Sequence, residues 1–550
     1  MRDAAMTTGD ELPPRDPPVA GRPRRLRRFA GGIVAAAVVV HVLAAWFARP
    51  TGITTGQDDA EYVILARSLA AGGYHELHRI DRPVHAQYPP GYPALIAVWS
   101  TVAGDGFDAL VVLSIMFSAA TLVVLWRVLR KRGFGEVEAT GSVVVLALNP
   151  ALLAFAGSAM SESSYMLLTM LCLLLLADED PGARRVAGAG AVAILAALTR
   201  SIGVTLLAAV AAHWLLERRW KALATFIAAS AVTVGSWLLW TALAPEQYLG
   251  SSYIADLRAG TGNVDWAPGP LLRIPAHIAY YARSTIPTQL ALPALPGTPI
   301  DNALTVLLLA ALIGLGVWTF FRRWRAAALY IAAYGALLAV WLWLTDRFTI
   351  PLIPLIVATL LVGGARLATL LRLRRPWLVP AGLALVLTLL AAARTAEKVA
   401  AASGCDRAGA LPDTACLSPD RASFFDALRW IRGNTADDAV FLASKSAPLW
   451  LYTGRPSVSY GTAMTADTAT FLPFLRDQGA DYILLGALEQ SELWQLATLV
   501  HGVCRRLELE ATFPPHTYIF LIPDAGAPPA SGAACEAVTA YLEANEGRLF

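Results

Sequence analysis

Residues 22–47 read RPRRLRRFAGGIVAAAVVVHVLAAWF, in which five arginines precede 19 residues without a formal charge. A bilayer core about 30 Å thick is crossed by a helix of about 20 apolar residues, so 29–47 is predicted to span a membrane. No convincing cleavage site closes this run, and we interpret it as an uncleaved anchor rather than a signal peptide. The arginines predict a cytoplasmic N-terminus, and residues 1–28 are predicted to form a disordered cytoplasmic tail.

The rest of the chain has the same character. Of its 550 residues 56% are hydrophobic and 15% are charged, with a mean hydropathy of +0.52. Soluble domains carry roughly 25% charged residues, which excludes an ordinary cytosolic enzyme, a disordered protein and a disulfide-rich miniprotein. We predict about eleven membrane-spanning helices, at 29–47, 109–127, 139–157, 162–177, 186–199, 202–216, 222–244, 302–320, 326–345, 348–366 and 377–393.

The loops between these stretches predict the topology. Every second loop carries a cluster of Lys and Arg, as short cytoplasmic loops do. This alternation predicts an odd number of crossings in the plasma membrane, with the C-terminus outside the cell. The outside then holds a loop at 48–108, a second loop at 245–301 and the final segment 394–550, in which 12 basic residues face 18 acidic ones. The predicted fold class is an all-α polytopic membrane domain (29–393) followed by an extracytoplasmic α/β domain (394–550).

The α/β prediction for 394–550 rests on alternating patterns. Residues 424–431, 471–475 and 493–500 suit helices, whereas 439–442, 481–485 and the residues near Leu507 and Tyr518 suit strands. Four of the five cysteines fall in this segment, which fits an oxidising compartment. They allow three pairings. We predict Cys405 with Cys416 and Cys504 with Cys535; a zinc site is the alternative, but the spacing lacks its usual signature.

Polar residues gather at the external ends of the predicted helices, not inside them. Only His41 and His213 are ionisable and well inside the predicted spans. An ion or proton pump keeps charged side chains near the bilayer midplane, so this pattern argues against one.

Three carboxylates, Asp58, Asp59 and Glu61, follow the first predicted crossing, with Tyr62 next to them. Carboxylates this close repel one another unless they are solvated, meet a cation or share a proton. They could simply begin a solvated helix that an Asp caps. The functional alternative is that one carboxylate removes a proton from an acceptor hydroxyl.

Further external clusters follow along the chain. Residues 87–95 read QYPPGYPAL, and their prolines predict a rigid turn around Tyr88 that opens into an apolar helix. Glu162, Arg200 and Arg347 lie in three other external connections. Each could be an interface anchor or part of a local ion pair, but their occurrence on one side favours a shared site.

Taken together these segments resemble the GT-C superfamily of integral membrane glycosyltransferases, in the branch that holds protein O-mannosyltransferases and aminoarabinose transferases. The features that carry the resemblance span nearly the whole chain: Asp58-Asp59 with Glu61-Tyr62, the YPPGYP segment 88–93, Ser161-Glu162, Leu198-Thr199-Arg200, the DRFTIPLIP segment 346–354, and the external C-terminal segment with Trp430-Ile431-Arg432 and 452–456. The family's acidic pair is commonly Asp-Glu, so the role of Asp59 carries over less safely than that of Asp58.

The resemblance implies inverting transfer of a sugar from a polyprenyl-phosphate donor to a hydroxyl of an envelope glycan, a glycolipid or a protein. Asp58 and Asp59 would be the catalytic residues, and Glu61, Tyr62, Tyr88, Glu162, Arg200 and Arg347 would bind substrate. The guanidinium groups of Arg200 and Arg347 suit the leaving phosphate, because they are always charged and match its oxygens. No cofactor and no metal ligand is expected, although three carboxylates could hold a divalent metal, and no nucleic-acid partner is expected.

Two functions of other classes stay open on the sequence alone. A lipid or oligosaccharide transporter would need polar residues along a path through the bilayer. A non-catalytic membrane protein with an external binding domain would tolerate neutral residues in place of the loop carboxylates. Both the sugar, hexose or pentose, and the acceptor stay open as well.

Overall fold

The computed structural model describes residues 24–54, 56–178, 181–243, 253, 270–293, 299–486, 493–526, 528 and 532–545. Most of the predicted N-terminal tail and much of the predicted loop 245–301 therefore lie outside the described residues. The first part of the chain is helical: α1 Arg24–Phe47, α2 Asp58–Ala70, α3 Gly91–Ala103, α4 Phe107–Lys131, α5 Glu136–Ala147, α6 Pro150–Ala156, α7 Glu162–Leu175, α8 Ala183–Thr199, α9 Val204–Leu216, α10 Trp220–Ser230, α11 Ser236–Leu243, α12 Pro270–Tyr280, α13 Ile286–Gln289, α14 Pro299–Arg323, α15 Arg325–Val340, α16 Ile353–Leu370 and α17 Leu378–Ala402.

Among the described residues, six helices are long and apolar enough to cross a membrane, and a seventh candidate is the bent pair α5 and α6. Pro150 follows Asn149, whose side chain accepts from the Leu152 amide and caps α6, so the chain turns by 62° at this point. The helices α3, α7, α15 and the segment Ser201–Leu216 are shorter and apolar. Helices occupy all eleven predicted stretches, while the number of crossings stays a prediction.

The helical part packs around small residues. A Cβ at Gly363 would meet the carbonyl oxygen of Leu312, and one at Gly316 would meet that of Thr359, so α14 and α16 touch backbone to backbone. Close contact of this kind is how membrane helices associate without a hydrophobic driving force between them. Before α16 lies a 3-10 turn, Asp346–Leu352, which begins with Asp346 and Arg347 and contains Pro351.

The C-terminal segment builds a separate core around a sheet. Its strands are β1 Phe441–Ala443, β2 Tyr482–Leu485, β3 Glu508–Phe513 and β4 Thr517–Leu521, in the order β1-β2-β4-β3 with only the β1–β2 pair parallel. Its helices are α18 Pro419–Asn434, α19 Ser446–Thr453, α20 Tyr460–Ala463, α21 Phe471–Asp477, α22 Trp494–Val503 and α23 Ala533–Asn545. The predicted cysteine pairing is confirmed, since Cys405 is bonded to Cys416 and Cys504 to Cys535.

The sheet also contacts the loop that follows α2. The Ser457 amide donates to the His78 carbonyl (2.9 Å), and the Ile80 amide donates to the Ser457 carbonyl (3.0 Å). Ser457 in turn pairs with Phe441 of β1, so the loop extends the sheet at its β1 edge. A second contact joins the Ile53 amide to the Tyr452 hydroxyl at 2.8 Å. The C-terminal segment therefore contacts the chain on both sides of α2, the helix that begins with Asp58 and Asp59.

Candidate active site

The three carboxylates of α2 lie in its first turn but face different surroundings. Asp58 keeps 26% of its side chain exposed and contacts Arg347. Asp59 is buried, and one of its oxygens accepts from the Ala60 amide (3.0 Å) within the same turn. Glu61 is 3% exposed and faces His78 and His85 instead. Asp58 thus contacts the ion pairs that Arg347 forms.

A chain of ion pairs connects four residues that are remote in sequence. Arg347 donates from Nη1 to Asp58 Oδ2 (2.5 Å) and from Nε to Glu162 Oε1 (2.5 Å). Arg200 donates from Nη1 to the same Glu162 oxygen at 2.8 Å. These side chains come from α2, the start of α7, the end of α8 and the 3-10 turn before α16. The fold therefore brings together four residues that the sequence had indicated as members of one site: Asp58, Glu162, Arg200 and Arg347.

The four side chains of this cluster differ in solvent exposure: two are buried and two are partly exposed. The side chains of Glu162 and Arg200 are 0% and 9% exposed, whereas those of Arg347 and Asp58 are 22% and 26% exposed. A molecule that arrives from outside would thus meet Asp58 and Arg347 first. Because Glu162 accepts from both guanidinium groups, it fixes their directions from below.

Two hydroxyl groups extend the cluster. Ser161 accepts from Arg200 Nη1 (2.8 Å), and the Tyr62 hydroxyl lies 3.1 Å from the Ser161 oxygen. The Tyr62 ring contacts those of Tyr88 and Tyr92, each with a centroid separation of 4.9 Å. Tyr88 also hydrogen-bonds Asp58 through its hydroxyl. Tyr62 and Tyr88, both predicted site residues, therefore join the cluster.

Some residues that shape the site were not predicted from the sequence. Asp346 accepts from the Tyr280 hydroxyl (2.8 Å) and from Thr285, while Gln289 donates to its carbonyl oxygen (2.6 Å). These contacts fix the turn that presents Arg347. The adjacent charges of Asp346 and Arg347 suggested a local ion pair, but Asp346 bonds to the segment 280–289 instead. No sequence pattern pointed to that segment.

The electrostatics of Asp58 follow from these contacts. Burial by itself would raise the pKa of Asp58, but the charge and hydrogen bond of Arg347, helped by Tyr88 and Arg200, hold that pKa below its usual value. Asp58 is therefore ionised at neutral pH. The pKa of Glu61, in contrast, is raised well above its usual value by burial and by the nearby charges of Glu76 and Asp58.

The comparisons with known proteins agree with this architecture. The apo structure of ArnT from Cupriavidus metallidurans is 15% identical, covers 92% of this chain and 100% of its own, and superimposes with a TM-score of 0.56. The same protein bound to undecaprenyl phosphate gives 14% identity, 91% and 99% coverage and a TM-score of 0.55. Archaeal oligosaccharyltransferase AglB from Archaeoglobus fulgidus, in complex with an inhibitory peptide and a dolichol-phosphate, gives 12% identity, 92% and 75% coverage and a TM-score of 0.51.

The chain has the GT-C fold. The resemblance stated from its motifs is confirmed at this level. No family model and no curated protein sequence matches the chain. The GT-C fold is a multi-pass membrane architecture, and the apolar helices described above fit it.

One further cluster in this chain has the chemistry of a metal site. Donor atoms of Glu61, Glu76 and His85, all buried, lie within 4.8 Å of one another. His78 adjoins them, with its Nδ1 atom 3.5 Å from Glu61 Oε2. Glu61 was predicted to bind substrate together with Tyr62, and in the structure its nearest charged partners are His78 and His85 of this cluster.

Proposed function

We propose that the protein transfers a sugar from a polyprenyl-phosphate donor, with inversion, to a hydroxyl group at the extracytoplasmic face. The observation that carries the proposal is the contact of Asp58 with Arg347, which joins a carboxylate that can accept a proton to a cation that can bind phosphate. In the proposed topology the N-terminus is cytoplasmic, eleven helices cross the membrane, and the α/β domain lies outside.

The proposed reaction is a direct displacement at the anomeric carbon. The acceptor oxygen forms a bond to that carbon while the bond to the phosphate oxygen breaks, and Asp58 takes the proton of the acceptor hydroxyl. The leaving polyprenyl phosphate gains negative charge. Preorganised cations aimed at a developing charge are usually the largest catalytic contribution, and Arg347, backed by Arg200, supplies them here.

The geometry supports these roles in one further respect. Asp58 and Arg347 are the two exposed members of the cluster, and Arg347 contacts both carboxylates at once. A phosphate that binds Arg347 would loosen its pair with Asp58 and free that carboxylate for the acceptor. The proposed chemical step uses side chains alone and needs no metal or cofactor. The lipids bound to ArnT and AglB support a polyprenyl-phosphate donor.

Isosteric variants test the proposal. Asp58→Asn should lower turnover by about 10²–10⁴-fold, the usual contribution of a general base, yet still bind undecaprenyl phosphate because Arg347 is retained. Asp59→Asn is the matched control and should keep most of the activity, since the Asp59 side chain is buried and is not proposed to take the acceptor proton. Full-length protein in detergent would be assayed with a panel of undecaprenyl-phosphate hexoses and pentoses. Turnover of Asp58→Asn close to that of wild type would exclude the mechanism.

A further inference from the structure

The cluster of Glu61, Glu76, His78 and His85 consists of four titratable side chains that the proposed reaction does not use. Glu61 belongs to α2, while Glu76, His78 and His85 come from the loop that follows it. Their exposed fractions are 3%, 2%, 2% and 1% in that order. Burial of two carboxylates this close together is costly unless cations or hydrogen bonds compensate them.

Glu76 and His85 are already engaged with each other. The Tyr88 amide donates to His85 Nε2 (3.0 Å), which places the ring proton on Nδ1. Nδ1 therefore donates to Glu76 Oε1 at 2.9 Å, and Arg79 donates to the other Glu76 oxygen at 3.4 Å. Because both of its nitrogens are satisfied, His85 orients Glu76 and needs no further partner.

Glu61 and His78 are not satisfied in this way. Within the described part of the chain, the two carboxylate oxygens of Glu61 have no hydrogen-bond partner. The Nδ1 atom of His78 has none there either. His78 Nδ1 lies 3.5 Å from Glu61 Oε2, and the other Glu61 oxygen lies 3.8 Å from His85 Nδ1. Buried polar atoms without protein partners are rare, and a bound water or ion is a common explanation for them.

We propose that Glu61, Glu76 and His78 bind a divalent cation, for which Zn²⁺ fits best, while His85 holds Glu76 from outside the coordination shell. Zinc takes imidazole nitrogen and carboxylate oxygen at 2.0–2.2 Å, so its tetrahedral ligands stand roughly 3.4 Å apart. The separation of 3.5 Å between His78 and Glu61 matches that spacing. Calcium and magnesium prefer all-oxygen sites, which an imidazole disfavours. A histidine that donates to a ligating carboxylate is the usual support of such a site.

The ion would have a positioning role. Glu61 lies one turn after Asp58 on α2, and the other ligands lie on the loop that the sheet holds at Ser457. A cation here would fasten α2 to that loop and so fix the direction in which Asp58 points. This inference goes beyond the proposed transfer reaction, because the ion would bind whether or not Asp58 acts as a base.

Metal content and thermal stability test the site directly. Full-length protein in detergent would be stripped with 1,10-phenanthroline, dialysed against ZnCl₂ and analysed by mass spectrometry for zinc. Near one zinc per chain is expected, together with a higher thermal midpoint, because a ligand that binds only the folded state stabilises it. Glu61→Gln and His78→Gln should lose the zinc, and His85→Gln should bind it about 10–100-fold more weakly.

Two controls keep the outcomes separate. Asp105→Asn removes an exposed carboxylate that pairs with Arg67 on the same external side, and it should bind zinc like wild type. Asp58→Asn should also bind zinc normally, which separates this site from the proposed reaction. Zinc retained by Glu61→Gln would overturn the proposal. If that variant fails to fold, a wild-type thermal midpoint that does not change between stripped and zinc-loaded protein would overturn it equally.

Discussion

At the residue scale the site depends on which carboxylate reaches a guanidinium group. Asp58 and Asp59 are neighbours, but Asp58 is partly exposed and pairs with Arg347, whereas Asp59 is buried and one of its oxygens accepts from the Ala60 amide. Successive residues on a helix point about 100° apart, so one of the pair can face the open side while the other is buried. This separation is why the two Asn variants are expected to differ.

Arg347 should matter more for the donor than for the acceptor. Arg347→Ala removes the exposed cation, and since a hydrogen bond to a charged group contributes about 1.5–3 kcal/mol, undecaprenyl phosphate should bind roughly 10–100-fold more weakly. Arg347→Lys keeps the positive charge but loses the bidentate geometry of the guanidinium group. Its affinity for undecaprenyl phosphate should therefore lie between those of wild type and Arg347→Ala.

A titration of undecaprenyl phosphate against the purified variants would measure this. Arg67→Ala is the control, because it removes an external arginine that pairs only with Asp105 in the described structure. An unchanged affinity in Arg347→Ala, or an equal loss in Arg67→Ala, would contradict the assignment of Arg347 to the donor phosphate.

At the scale of elements, the site depends on how closely α3 approaches the end of α8. A Cβ at Gly91 would stand 2.6 Å from the carbonyl oxygen of Leu198 and 2.9 Å from the Thr199 nitrogen. Arg200 follows directly, so the turn around Tyr88 and the position of Arg200 are set by one contact. Backbone atoms cannot move aside as a flexible side chain can.

Gly91→Ala should therefore push α3 away from α8. Overpacking of this kind costs about 1–3 kcal/mol, and the displaced Arg200 should lower turnover more than tenfold. The control is Gly335→Ala in α15, where nothing lies within 4 Å of the added Cβ. Thermal unfolding and turnover of both variants would be compared. Wild-type values for both properties in Gly91→Ala would show that the contact is not needed.

At the scale of the whole molecule, the C-terminal sheet holds the loop that follows α2. Ser457→Pro removes the amide that donates to His78, although its neighbours can still pair with Phe441. We expect the loop around residues 74–85 to exchange its amide hydrogens at least tenfold faster and turnover to fall with it.

Ser457→Ala is the matched control, because it keeps the amide and loses only the hydroxyl contact to the His78 carbonyl at 3.2 Å. Hydrogen exchange followed by mass spectrometry would compare the loop peptides of the two variants. Equal protection of the loop in Ser457→Pro and wild type would show that the sheet does not hold it.

The sequence by itself determined the membrane class, the stretches that became helices and the order of the polar motifs, and it left three cysteine pairings, of which the predicted one forms. These properties are local or depend on composition, since about 20 apolar residues suffice to specify a membrane helix. Near cysteines such as Cys405 and Cys416, 11 residues apart, have few alternatives. The resemblance to GT-C proteins followed from the order of the motifs.

Only the tertiary structure decided which side chains meet. Asp58 and Arg347 are 289 positions apart, and no local pattern states that they touch or that Asp346 bonds elsewhere. The placement of Glu61 next to His78 likewise depends on how the loop folds back against α2. The physical reason is that helix packing, glycine contacts and the sheet edge at Ser457 determine where these side chains lie relative to one another. Each of these contacts joins segments that are remote in sequence.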